Sequence, residues 1–512
     1  MINYAPEKVN QHANVSKTLV LVVFPVPDGG GFRAPAVSIF RYVNAMRALL
    51  ILLGCIAPLA AQAADSAPRI GQIENIVAAI SPQRIEMRIR KLASFGTRHT
   101  LSDTASATRG IGAARRWIKA ELEACGEASG GRLQVAFDAF TQPAARRVPQ
   151  PIEIMNVVAT LPGTLPGARA RHYVVSGHYD SMPSSVMDSE SDAPGANDDA
   201  SGVAAVMEIA CAMAAHRFDA TLVFMAVAGE EQGLLGATHW AEQARVKGVD
   251  VAGMITNDII GSSTADDGSR NDRAVRLFAN GLPALLALLA GQASADSAPT
   301  QAAHAQIASI ARSGGEADTP AHQLGRYLKE TGERYVPGFS VDLIPRPDRF
   351  LRGGDHLPFL EQGYAAVRFT EPAEDFRHQH QNVRAELGVQ FGDLPEFVDF
   401  GYVAQVARVN AAGLASLALA PAAPRDVGIE VLALENDTTL RWTANAEPDI
   451  AGYRILWRAP GQALWQHARD TGNVNRYTLK GVSKDNYVFG LVAIDRDGNA
   501  SPASFARPWR PR

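Results

Sequence analysis

Apolar runs and helical periods alternate through the middle of the chain. Residues 172–180, HYVVSGHYD, form a short apolar run. SGVAAVMEIACAMAAH, 201–216, has the pattern of a buried helix, with Ser201 placed to cap its N-terminus. ATLVFMAVAGEE (220–231) and VAGMITNDIIG (251–261) are further runs of buried-strand type, separated by the helical stretch GLLGATHWAEQARVKG (233–248). AAVRFTE, near residue 370, reads as another strand. Strands alternating with helices predict an α/β domain with a mostly parallel central sheet flanked by helices.

Upstream, SPQRIEMRIRKLASFG (81–96) and TRGIGAARRWIKAELEACG (108–126) have helical periods, the first opening on Ser-Pro and stopping at Gly96. In the second, Ile111, Trp117, Ile118 and Leu122 share a face. RLQVAFDAFTQ (132–142) alternates like a strand. Residues 286–330 are rich in alanine and helical in part. Downstream, Pro421 and Pro424 mark a linker, after which the pattern becomes short strands between turns: TLRWTA, GYRILWRA, NRYTLKGV and NYVFGLVAID. That pattern predicts an all-β sandwich with Trp442, Tyr453, Trp457 and Tyr487 in its core. Residues 425–512 resemble a fibronectin type III module, and AIDRDGNASPAS resembles that family's last hairpin. A Pro-rich linker at a change of pattern predicts a boundary that few contacts cross.

Composition changes this picture little. The chain has 512 residues, 49 basic and 53 acidic, and this near balance argues against nucleic acid as main partner. Three cysteines are too few for a disulfide framework, and Cys211 falls on the apolar face of its helix. MRALLILLGCIAPLAAQAA (46–64) carries Arg47 before an apolar core too short to span a bilayer and a small-x-small cleavage site at Ala61–Ala63. It reads as a signal peptide over 46–63, with Met46 as the start and 1–45 as a mis-assigned extension. LLGC, ending at Cys55, resembles a lipidation box, but the apolar stretch continuing beyond it favours simple cleavage near Ala63. The chain therefore divides into 1–45, 46–63, an α/β domain over 70–420 and the β module over 425–512, with export to the periplasm or outside the cell as the expectation.

The chemistry lies at the ends of the apolar runs. His178 and Asp180 end the first, Glu230 and Glu231 the second, Asp258 the third, and Asp198–Asp199 precede a helix. In an open parallel sheet, sites form beyond the carboxyl ends of the strands. One acidic pair there is an ordinary solvated loop. Three acidic clusters with a histidine repel unless a cation neutralises them, and mixed imidazole and carboxylate ligands suit zinc. Two ions about 3.5–4 Å apart would account for the number of acids. No G-x-S-x-G elbow or P-loop is present to support a serine hydrolase or a nucleotide-binding protein.

His178-Tyr179-Asp180, GANDDASG (195–202), GEEQG (229–233), Asn257-Asp258 and GGDHLPFLEQGYAAVRFTE (353–371) occur in the order and spacing of the co-catalytic dizinc aminopeptidases, and residues 75–420 resemble that family, in particular secreted bacterial leucyl-aminopeptidase-like zinc exopeptidases. The resemblance implies a peptide substrate and two zinc ions bridged by Asp198, with His178 and Asp258 on one ion and Glu231 and a late histidine on the other. It implies Glu230 as general base toward a water shared by the ions, Asp180 as the group orienting His178, and Asp199 as a shaper of the backbone beside Asp198. For the late histidine, FRHQHQN (376–382) offers His378, which spacing favours, and His380, which a shortened loop favours; His356 is a third candidate. His172, His216, His239, His304 and His322 read as surface or helix-face residues. The resemblance leaves open a glutaminyl-cyclase-like acyltransferase using one zinc, or a carboxypeptidase. A non-catalytic binding or adhesion protein is the reading from another class, with the β module attaching to a surface or polymer.

Overall fold

Successive side chains of a strand point to opposite faces of its sheet, and here both faces are covered. Tyr173 and Val175 pack with Leu222, Phe224 and Ala226 on one side, while Val174 packs with Val223, Met225 and Val227 on the other. That burial on both faces explains the continuous apolar runs. The computed structural model describes residues 70–280, 307–350 and 352–510. The extension, the signal segment and His304 lie outside the described residues.

The α/β layer begins with helices α1 (Gly71–Ala79), α2 (Pro82–Ala93) and α3 (Gly110–Ala128). Strands β1 (Gln134–Gln142), β2 (Ile152–Leu161) and β3 (Arg171–His178) follow, then α4 (Ala200–Met213), β4 (Thr221–Val227), α5 (Leu235–Val246) and β5 (Asp250–Asn257). After β6 (Ala274–Phe278) come α6 (Pro320–Tyr335), β7 (Ser340–Ile344), α7 (His356–Glu361), β8 (Ala366–Thr370), the hairpin β9–β10 (Arg384–Glu386, Val389–Phe391) and α8 (Phe400–Leu419). The central sheet has the order β1-β2-β4-β3-β5-β8-β6-β7, and its middle, β4-β3-β5-β8, is parallel. Helices α4 and α8 belong to the core on the face of Val175, and α5 and α7 to the core on the face of Val174. Among the described residues no helix is long and apolar enough to cross a membrane.

Several side chains stand differently from the sequence reading. Asp199, not Ser201, caps α4: its carboxylate accepts from Gly202 N, while Ser201 Oγ donates to Asn197 O. Cys125 at the end of α3 and Cys211 on α4 form a disulfide; the two cysteines are 86 residues apart in sequence, so only the packing of α3 beside α4 brings them together. His322 is buried in the first turn of α6, its Nδ1 2.9 Å from Thr319 Oγ1.

The C-terminal strands form two four-stranded sheets, β15-β12-β11-β18 and β14-β13-β16-β17. These are β11 (Arg425–Glu430), β12 (Thr438–Thr443), β13 (Ile450–Arg458), β14 (His467–Gly472), β15 (Arg476–Leu479), β16 (Val488–Asp495), β17 (Ser504–Phe505) and β18 (Arg507–Trp509). Trp442, Tyr453, Ile455, Phe489 and Leu491 fill the space between the sheets, with Trp457 and Tyr487 at its margin. Buried ion pairs cross from these sheets to the α/β layer. The described residues, from 70 onward, fall in one compact unit. Arg458, at the end of β13, places Nη2 2.6 Å from Asp318 Oδ2, whose other oxygen is 2.8 Å from Arg326 Nη1. All three side chains are buried. Arg171, at the start of β3, binds Glu447 at 3.1 Å. Charges are taken out of water here because each has a partner, Arg458 and Glu447 finding theirs across the junction, and an unpartnered one would be costly.

Asp318→Asn leaves two buried guanidinium groups facing a neutral amide. It is expected to lower the unfolding free energy by about 3–5 kcal/mol, the usual loss on breaking a buried pair. Urea denaturation followed by circular dichroism measures this, and a change below about 1 kcal/mol, the scale of an exposed pair, would show that the junction is not held there.

Candidate metal centre

Three parallel strands deliver polar ends to one rim. β3 ends in His178, β5 is followed by Asp258, and the turn after β4 carries Glu230 and Glu231. Asp198 enters from the loop before α4, through a cis Asp198–Asp199 peptide. Its two carboxylate oxygens face opposite ways. Oδ1 is 3.0 Å from His178 Nε2, which is 3.8 Å from Asp258 Oδ1. Oδ2 is 2.9 Å from His380 Nε2, which is 3.2 Å from Glu231 Oε1. The arrangement is two triads sharing Asp198.

His380, not His378, joins the cluster. Asp375 holds the turn before it, accepting from Arg377 N with its carboxylate and from His378 N with its carbonyl. The His378 ring is then laid on Phe397, with centroids 3.6 Å apart. His380 has a φ of 49°, the left-handed region that an L-residue adopts only when its surroundings demand it. Asn382 anchors the far side through mutual bonds with Ser184. His356 is buried elsewhere, its Nε2 2.8 Å from Pro347 O.

Two further acids serve the backbone. The Asp199 carboxylate accepts from His178 N, Gly202 N and Ile259 N, so one side chain ties together β3, α4 and the end of β5. Glycine is needed at 202, where a Cβ would lie 2.2 Å from Asn257 O. The Asp180 carboxylate accepts from Thr100 Oγ1, Glu230 N and Glu231 N, and the Asp180 main-chain carbonyl lies 3.2 Å from His178 Nδ1, with Oδ1 at 3.6 Å. It therefore fixes the Glu230–Glu231 turn as well as the imidazole.

Sequence reasoning missed several supports. Asp393 accepts from Asn197 N and Asp198 N at 2.7 Å each. Arg98, fully buried, donates to the carbonyls of Tyr179, Pro194 and Gly195. Glu371 accepts from Asn197 Nδ2, and Arg368 pairs with Asp258. Glu371 ends an apolar run, so the strand-end rule that exposed Glu230 and Asp258 reaches it too. Arg98 and Asp393 stand in loops without any periodic signal.

Electrostatics and donor chemistry fit a cation. His178 Nε2, Glu231 Oε1 and His380 Nε2 are buried and none makes a hydrogen bond, close as they lie to the acids and imidazole of their triads. Burial opposes charge on His380, but Glu231 and Asp198 beside it push its pKa up to about 11. Burial, with Asp258 and Asp180 adding to it against His178, pushes Asp355 up to about 7. So concentrated an anionic cluster holds either protons or metal, which compete for the same lone pairs. His178, Asp198 and Glu231 present ligand atoms all within 4.8 Å of one another.

The profile of peptidase family M28 matches residues 156–386. A protein of Leptosphaeria maculans named "probable zinc metalloprotease" is 47% identical over 437 residues, covering 85% of this chain and 97% of its own. The chain belongs to peptidase family M28. A second fungal protein of the same name, from Pyrenophora teres, is 44% identical over 441 residues, 86% of this chain and 88% of its own. Of solved structures, the LapA aminopeptidase of Legionella pneumophila is similar with a TM-score of 0.46 and 16% identity, over 69% of this chain and 76% of its own.

With zinc as probe, His378→Ala is expected to bind like the wild type. His380→Ala should lose more than the roughly 10–100-fold that follows loss of a ligand's outer partner. Competition with a chelator of known affinity separates the two, and the reverse ranking would return the ligand role to His378.

Proposed function

We propose that this M28 peptidase is a zinc-dependent aminopeptidase that removes N-terminal residues from peptides. The observation carrying the reading is the pair of triads that share the Asp198 carboxylate. Two donor sets on the two oxygens of one carboxylate suit two ions, with His178 and Asp258 holding one and Glu231 and His380 the other. Zinc, when bound, lowers the pKa of water and polarises a carbonyl.

The protein's own groups do the rest. Glu230 stands outside both triads, and its main chain is fixed by Asp180. Burial, with Glu231 and Asp258 nearby, holds its carboxyl well above the usual carboxylate range, His178 opposing. A carboxylate so placed takes the proton of the attacking water and returns it to the leaving amine. Asp180 keeps His178 and the Glu230–Glu231 turn in register, and Asp199 holds the three elements from which the donors project.

We also propose export. The 46–64 segment supports it, as does the Cys125–Cys211 bridge, since disulfides persist in oxidising compartments. The likeness of 425–512 to fibronectin type III modules supports attachment to a surface or polymer, beside the structural part played by Arg458.

Glu230→Gln is expected to keep its zinc and lose about 10²–10⁴-fold in turnover of leucine p-nitroanilide, the range for a missing general base. Wild-type turnover at full zinc content would remove Glu230 from that role. A wild-type protein that is inert on leucine p-nitroanilide and on a library of free-amino peptides would overturn the aminopeptidase reading.

The mature chain is expected to begin near Ala64. Mass spectrometry of native material checks this, and an intact chain retaining residues 46–63 would refute export by that signal.

A further inference from the structure

The two triads are not electrostatically alike. Asp258 Oδ1 lies 3.8 Å from His178 Nε2 but only 2.9 Å from Arg368 Nη2. Arg368 is fully buried on β8, beside β5, where it pairs in register with Thr256. Its Nη1 is 2.9 Å from Asp348 Oδ2 and also binds the Gly353 carbonyl, and Nη2 reaches the Asp258 carbonyl at 3.4 Å. Gly354 permits this approach, because a Cβ there would sit 2.8 Å from Arg368 Nη1 and 3.2 Å from Asp258 Oδ2. The guanidinium is thus locked against Asp258 Oδ1, the oxygen that also faces His178.

The other triad has no such neighbour among its ion pairs. Glu231 and Asp198 are paired there with His380. Arg147 donates to the Glu231 main-chain carbonyl at 2.7 Å, but it is exposed, so solvent screens its charge. Arg98 lies behind the Asp198 loop, which both triads share.

A guanidinium does not lose its proton in a protein. Two consequences follow for a cation held by His178 and Asp258. Arg368 competes for the lone pairs of Asp258 Oδ1. It also repels a dication through a buried interior where charges are weakly screened, and Asp348, on its far side, offsets only part of that. We propose that Arg368 makes the two metal positions unequal, weakening the one built on His178 and Asp258 so that it fills second. This rests on the two-ion reading above. A merely orienting partner acts the other way, since fixing a ligand's geometry raises affinity and its removal lowers it. The sign of the change therefore discriminates.

The test is zinc binding itself, by competition with a chelator of known affinity and by metal analysis, on the full chain. Two variants are compared with wild type: R368M, and R368M/D348L, which removes both members of the Arg368–Asp348 pair. Circular dichroism checks their fold. Wild type is expected to bind two zinc ions in steps at least about tenfold apart. In both variants the second step should tighten by at least about tenfold, with the first changed less than about twofold. Two ions in all three proteins, with the second step unchanged or weaker in the folded double variant, would overturn the inference and leave the two-ion reading standing. A single zinc ion in wild type and variants alike would overturn that reading and this inference with it.

Discussion

Asp198 between two imidazoles is the contact around which the rest of the site is built. A carboxylate buried at the rim of a parallel sheet costs several kcal/mol unless it is paired or neutralised, and here Glu231, Asp258 and Asp180 are buried around it, with Glu230 half-buried. Such a cluster persists in a folded chain only if cations take up its lone pairs and if the backbone holds the like charges in place against their repulsion. His178 and His380 supply the first contacts, one on each oxygen of Asp198. The second requirement explains why the surroundings are so densely bonded.

The backbone is held by acids whose carboxylates accept from main-chain amides. Asp199 accepts from three main-chain amides in three elements, Asp180 from two in one turn, and Asp393 from the two amides that open onto Asp198. Each bond of this kind is charge-assisted and stronger than a neutral one. Paired acids such as Asp198–Asp199 thus divide their tasks. One carboxylate faces the site, and its neighbour fixes the chain that presents it. Arg98 completes the arrangement by taking up the carbonyls of the same loop.

What could be read from the sequence was whatever local pattern determines. Buried strands announce themselves as apolar runs, so the rim formed by His178, Glu231 and Asp258 was legible before any coordinates. The late histidine was not. His378 and His380 differ only in the path of a short loop, which Asp375, Phe397 and the Asn382–Ser184 bonds decide. None of these leaves a period in the sequence. The same holds for Cys125 with Cys211 and for Arg458 with Asp318, pairs that meet only after the helices and sheets have packed. Trp442 and Tyr453 could be placed in the core of the C-terminal sheets, because strand alternation marks inward positions. Phe489 was passed over, although it lies inside the run NYVFGLVAID and packs with them.

Electrostatics also ties the fold to its cation. The cluster is assembled by three strand ends, one loop and one left-handed turn, and it does not exist in the unfolded chain. Any ion bound there consequently favours the folded state by mass action. In the absence of the ion the same donors must hold protons, as the raised pKa of His380 reflects. Acidic and neutral solutions then act in opposite senses on metal retention. Protons drive ions off the imidazoles first, because carboxylates ordinarily titrate lower. Loss of His380 as a ligand would release its imidazole alone, because the loop stays tied by Asp375, Phe397 and the Asn382–Ser184 bonds and Asp198 stays fixed by Asp393 and Asp199. The rim is accordingly held by the protein's own bonds on both its strand side and its loop side, and an ion would act on the donor atoms rather than on the path of the chain.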